Sequence, residues 1–210
     1  MEKVASDTEW MQQALLLCGI IAPSLYLVID WVAGRLLKGY SFAAQSMSEL
    51  SAAGSPTRRF VVSLTLVASV LMIAFAAGVW RAAGEAHLPR VVSVLLIGNA
   101  VAGLVATLFF PTRFGERPRF GTPGVILMFL SVVCFVLAML VGAAAFGSWL
   151  RILSISIPVG YVLLAVLRFA TAAPASAAVS AIGAQERTMA YGFLLWVAAL
   201  AVYLLLAGGK

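Results

Sequence analysis

Histidine occurs once, at His87, and cysteine twice, at Cys18 and Cys134, each cysteine inside an apolar run. A zinc site draws three or four ligands from His, Cys and carboxylates, so this chain would need mostly carboxylates, and no metal is expected. Haem held by two histidines is excluded, and nothing in the residue set asks for a cofactor. Separated thiols within apolar runs behave as small hydrophobes, so no disulfide framework is read. Charged residues make up only 10% of the chain, and no run of Lys or Arg exceeds the pair Arg58-Arg59. A polybasic patch is therefore missing, and the net charge of +6 reads as membrane anchoring, with no nucleic-acid partner. Nucleophile elbow, P-loop and His-Glu-x-x-His patterns are absent as well.

What the chain has in abundance is apolar surface. Of its 210 residues, 63% are hydrophobic, and the mean hydropathy is +1.05. Soluble domains run at about 45–50% apolar and about 25% charged. Six long apolar runs, near 11–34, 60–83, 91–110, 123–146, 149–169 and 188–207, are each long enough to cross about 30 Å of hydrocarbon at about 1.5 Å per residue. They are rich in Leu, Ala, Val and Ile and do not alternate as barrel strands do. The expected fold is all-α: one domain over 1–210, a polytopic bundle of six transmembrane helices with membrane lipids around it. A homo-oligomer is compatible with this composition. The N-terminus is acidic and the first apolar run lacks a small-residue cleavage site, so that run is expected to be retained as a span.

Six spans put both termini on one side. Five basic residues lie there (Lys3, Arg81, Arg90, Arg151, Lys210), and nine lie with the loops at 35–59, 111–122 and 170–187. The positive-inside rule then puts those three loops in the cytoplasm and both termini outside. Asp30, Glu49, Glu116 and Glu186 belong to the same side as the nine cations, so polar function is expected there.

Asp30 is the sharpest signal, because it follows Tyr26-Leu27-Val28-Ile29 about 7 Å inside the expected helix end. An ionised Asp at mid-bilayer costs about 2.5–3.5 kcal/mol on insertion scales, so it needs a partner or a cavity. The bland reading is an ion pair to an arginine on a neighbouring helix. In the first long loop, Ser46-x-x-Glu49 reads as a capping box that opens a short helix near 47–53, stopped by Gly54. Gln45, Ser48 and Ser51 add the polarity of a lid. Ser55-Pro56 and Thr122-Pro123 each place a cap residue before a proline at the first helical position. Glu186, at the start of the last span, suits the helix dipole. Its neighbour Arg187 points elsewhere and is free to meet Asp30 or Glu49. Residues 111–120 interleave Arg and Phe, as interfacial anchors do.

Gln45-Ser46-Met47-Ser48-Glu49-Leu50-Ser51, Gly54-Ser55-Pro56, Phe110-Pro111 and Gln185-Glu186-Arg187 with Trp196 together resemble a six-span membrane family of bacteria and archaea. It is the family catalogued as domain of unknown function number 998. The resemblance covers nearly the whole chain, implies a six-helix membrane fold in a bacterial or archaeal cytoplasmic membrane, and supplies no activity. Thr112-Arg113 after Phe110-Pro111, and the absence of His from residues 121–126, depart from the family pattern. No metal or histidine chemistry carries over.

Two functional readings stay open. In the first, the protein binds a small amphiphilic, lipid-like and anionic ligand through Arg35, Ser46, Ser48, Arg117 and Arg187. In the second, it is a metal-independent intramembrane enzyme acting on a lipid or isoprenoid, with Asp30, Glu49 and Glu186 as acid–base groups.

Overall fold

A computed structural model describes residues 2–115, 121–170 and 181–208. Among these residues six helices follow in order: α1 (Glu2–Leu36), α2 (Arg58–Ala82), α3 (His87–Phe109), α4 (Pro123–Ala145), α5 (Ser148–Ala170) and α6 (Ile182–Gly208). A 3-10 turn, Met47–Ser51, sits between α1 and α2. All six helices are long and apolar enough to cross a membrane. The protein is an all-α integral membrane bundle. The described residues hold no strand, only an isolated bridge between Ala53 and Arg113.

Of three expected helix starts, two shift and one holds. Pro56 lies in a turn and α2 begins at Arg58, because the Thr57 hydroxyl donates to the Leu50 carbonyl (2.8 Å) and ties this stretch to the 3-10 turn. At Thr122-Pro123 the proline does open the helix, although the Thr122 side chain makes no capping bond. α6 begins at Ile182, before the expected 188, so Glu186 and Arg187 already ride on a helix.

Each helix packs on the next, and α6 returns to α1, closing a ring. The main core fills the end of the ring nearer the termini. Phe75, Leu96, Met139, Leu150, Trp196 and Leu200 are buried there. A smaller cluster of Ile29, Ala33, Leu37, Leu50 and Val61 lies under the 3-10 turn at the opposite end. The exposed Trp10 and Trp31 on α1 are separated by about 21 residues, or ~32 Å of helix. That spacing matches a hydrocarbon layer, and tryptophans concentrate at its two boundaries. Exposed Trp80 and Trp149 mark the same end as Trp10. Asp30, next to Trp31, therefore sits at a membrane boundary and not at mid-bilayer.

Packing is uneven along α4 and α5. Only 17% of the apolar stretch of each is buried, against 28–33% in the other four helices. On α4, Phe135, Ala138, Met139 and Gly142 form a buried stripe. Continued seven residues toward the loop end at helical spacing, that stripe reaches Met128, which is 46% exposed. On α5, Leu150, Ser154 and Pro158 are buried, yet Val162, one turn further, is 61% exposed. Burial along the two helices thus falls off from the end near the termini toward the loop end.

Candidate functional site

The polar residues of the loop end converge on one guanidinium. Asp30 on α1 and Arg187 on α6 form a bidentate ion pair, with Nε to Oδ2 and Nη2 to Oδ1 both at 2.8 Å. Asp30 is 3% exposed and Arg187 6%. The Tyr191 hydroxyl, one turn beyond Arg187, donates to the same carboxylate oxygen at 2.5 Å. Arg187 then gives its remaining hydrogens to the first loop. Nη1 donates to the carbonyls of Phe42 (2.6 Å) and Gln45 (3.2 Å), and to Gly183 on its own helix (3.3 Å). Nη2 donates to the Tyr40 hydroxyl (2.7 Å). The guanidinium also lies 4.8 Å from the Phe42 ring centroid and 5.5 Å from that of Tyr40. A guanidinium has five N–H groups, and all five are taken.

That saturation bears on the expectation that Arg187 grips an anionic headgroup. Its charge is cancelled by Asp30, and it has no free donor to offer in this conformation. The bland reading of Asp30, an ion pair to a neighbouring helix, is the arrangement seen. Tyr26, on the same face of α1, lies within the field of Asp30, Glu186 and Arg187.

The expected capping box does not form. The Ser46 side chain accepts from the N–H of Ser48 (3.2 Å), not from Glu49. Its hydroxyl donates to the Glu186 carboxylate (2.7 and 2.9 Å), which also takes the N–H of Met47 (2.9 Å). Glu186 therefore supplies, from another helix, the carboxylate that Glu49 was expected to provide. With the Ser46 proton committed to Glu186, Ser48 Oγ donates to Ser46 Oγ (2.8 Å). Glu49 is half-buried and accepts from the Gln45 amide (2.8 Å). Three carboxylates and a single guanidinium meet here, so the cluster is acidic.

Arg35 takes no part. It stands exposed at the end of α1, with its guanidinium 5.2 Å from the Trp31 ring centroid. Arg117 lies outside the described residues. Tyr40, Phe42 and Tyr191 join the site without having been read from the sequence, whereas Gln45 was expected there as part of a polar lid. The signal for Tyr191 was its position four residues after Arg187, which puts both on one helix face.

Two glycines allow the loop to approach this closely. A Cβ at Gly183 would stand 2.1 Å from the Gln45 carbonyl oxygen, and one at Gly34 would stand 2.3 Å from the Phe42 ring. Burial pushes the Tyr40 phenol above its ordinary 10.0. Its folded value exceeds its unfolded one, so its contribution is complete below pH 10.0 and fades as pH rises toward the raised value. Alkaline unfolding of the wild type should accordingly steepen above pH 10.0, and Tyr40→Phe should remove that component. Parallel pH–stability curves for the two proteins would count against the assignment.

Among the described residues no group of three or more His, Cys, Asp and Glu is placed to hold a metal. No curated protein and no solved structure matches the chain. A family model does: the one described as "Protein of unknown function (DUF998)" matches residues 20–203, reaching into all six helices and spanning the first loop, and this membrane protein belongs to that family.

Proposed function

We propose that this protein binds a lipid-like amphiphile at the loop end of the bundle. Its hydrocarbon chain would lie in the wedge between the outer halves of α4 and α5, and its polar end beside the cap formed by residues 37–57. The observation that carries this reading is the fall in burial along α4 and α5 toward the loop end. On α4 the buried stripe is followed, at nearly the same helical angle, by Met128 in the open, and on α5 the turns beyond the half-buried Tyr161 leave Val162 and Leu163 exposed. The wedge-lining stretches 123–130 and 162–167 contain only apolar residues, which suits a hydrocarbon chain. Arg35, Lys38 and Arg59 are exposed around the rim and have no carboxylate partner among the described residues. They favour an anionic headgroup outside the cap, which the positive-inside count assigns to the cytoplasmic face.

Catalysis by carboxylates has less support. A general acid or base must exchange a proton with its substrate. The oxygens of Asp30 and Glu186 are occupied by Arg187, Tyr191, Ser46 and Met47, and Glu49 alone remains.

Mass spectrometry of small molecules that co-purify in mild detergent tests the binding reading. Val162→Trp should fill the wedge, whereas Ile152→Trp adds the same bulk at an exposed position in the opposite half of α5. One amphiphile should be enriched on the wild type and on Ile152→Trp. On Val162→Trp it should fall about tenfold, the effect of losing about 1.4 kcal/mol of contact. The same bulk lipids on all three proteins would sink the proposal.

A further inference from the structure

Residues 40–47 cross the Asp30–Arg187 pair and are held differently from the chain on either side. Leu37 before them and Leu50 after them are buried in the smaller apolar cluster. Beyond Leu50, Arg58 donates to the Ser51 carbonyl and Thr57 to that of Leu50. Between these anchors only Ser46 is buried, while Ser41 and Ala43 are exposed. The hold on α6 is made by hydrogen bonds and by the Arg187 guanidinium over the Phe42 and Tyr40 rings. Arg187 takes Tyr40, Phe42 and Gln45, Glu186 takes Ser46 and Met47, and the Ala184 N–H donates to the Ala43 carbonyl (2.9 Å). The segment's apolar contacts are the Phe42 ring over Gly34 and the partly buried Tyr40 ring against the smaller cluster. Segments with few buried apolar contacts open at low free energy. At the start of this segment Gly39 has φ +76°, with open space where a Cβ would be, so the chain can pivot there without a side chain to clear.

We propose that residues 40–47 form a strap that swings out about Gly39, with Glu186 and Arg187 as its latch, and that its opening admits the polar end of the amphiphile. With the strap out, Arg187 keeps Asp30 and the Gly183 carbonyl, which frees one hydrogen on each Nη. Asp30 still cancels the guanidinium charge and Glu186 stands beside it, so an incoming phosphate would be repelled. The donors fit neutral oxygens, such as the ester carbonyls of a glycerolipid, whose phosphate would stay with the exposed cations of the rim. The admission step rests on the binding proposal above; the motion of the strap does not.

Hydrogen exchange separates the two. In a Cys18→Ala/Cys134→Ala background, Ala43→Cys/Ala184→Cys places two thiols where the backbones already share a hydrogen bond, close enough for a disulfide. Reduced, the amides of 41–47 should exchange at least about tenfold faster than those of α2, as a sub-global opening does. Glu186→Gln should speed them further, and oxidation should slow them to the α2 rate. Equal protection of strap and α2, unmoved by Glu186→Gln, would overturn the strap. The same samples are then given deuterated lipid. Slower replacement of the co-purified amphiphile after oxidation supports admission through the strap. Replacement at the same rate overturns it and leaves the binding proposal standing. If no amphiphile is retained in any sample the binding proposal fails and admission with it, while the exchange rates still decide whether the strap moves.

Discussion

Replacing Arg187 with alanine should cost about 3–5 kcal/mol of folding stability, because it strands a buried carboxylate. Asp30 would keep only the Tyr191 hydroxyl, one neutral donor where there had been two charge-assisted ones. The loss measures the penalty of an unpaired charge more than the worth of the pair. The double variant Asp30→Leu/Arg187→Met should therefore recover much of it, to within about 1–2 kcal/mol of the wild type, since an apolar pair of similar volume carries no desolvation cost. Recovery should stop short of complete because the carbonyls of Phe42 and Gln45 lose their donor. Unfolding in a denaturing detergent titration would read all three proteins. A single-variant loss under about 1 kcal/mol would place the pair in water. A double variant no more stable than the single would mean that the charge is not what matters.

Much of this arrangement was legible in the sequence, and the pattern of what was missed follows from range. The six spans are local in origin, since twenty apolar residues specify a membrane helix wherever they fall. Asp30 stood out for the same reason, as a carboxylate in an apolar run that required a partner, and Arg187 was one of the partners named. Ser46-x-x-Glu49 misled because the spacing is locally sufficient for a capping box. Nothing in residues 46–49 reports that Glu186, 140 positions away in the chain, will reach the Met47 amide first. Pro56 is a similar case, where the Thr57–Leu50 bond overrides a good local start signal. The exposure of Met128 and Val162 could not be read at all, because they are ordinary apolar residues whose burial depends on where other helices stop.

The second large loss is expected far from the cap. Trp196 is fully buried on α6, with its indole N–H donating to Ser154 Oγ on α5 (2.7 Å). Its ring lies against Gly142 of α4, where a Cβ would approach to 2.7 Å. One side chain thus joins three helices in the more buried half of α4 and α5. Trp196→Ala should cost about 3–5 kcal/mol, from lost apolar contact and the cavity left behind. Trp196→Phe should cost about 1–3 kcal/mol, because most of the ring volume is kept and the principal loss is the hydrogen bond to a buried hydroxyl. If the two variants proved equally damaging, the indole N–H and not packing would carry the effect.

Arg187 and Trp196 share α6, about nine residues or ~14 Å apart, and they share no partner. Losses at such separations add within about 0.5 kcal/mol, so Arg187→Ala/Trp196→Ala should lose the sum of the two single effects. Additivity would mean that the cap can loosen while the core near the termini stays closed, as a strap that opens over a fixed bundle requires. A shortfall or excess beyond about 1 kcal/mol would mean that α6 moves as a rod. Opening the cap would then shift α5 through the Tyr161 hydroxyl, which donates to the Met189 carbonyl (2.7 Å), and the wedge would widen as the cap was released. The combined variant therefore separates a lid that moves alone from one that opens the wedge with it.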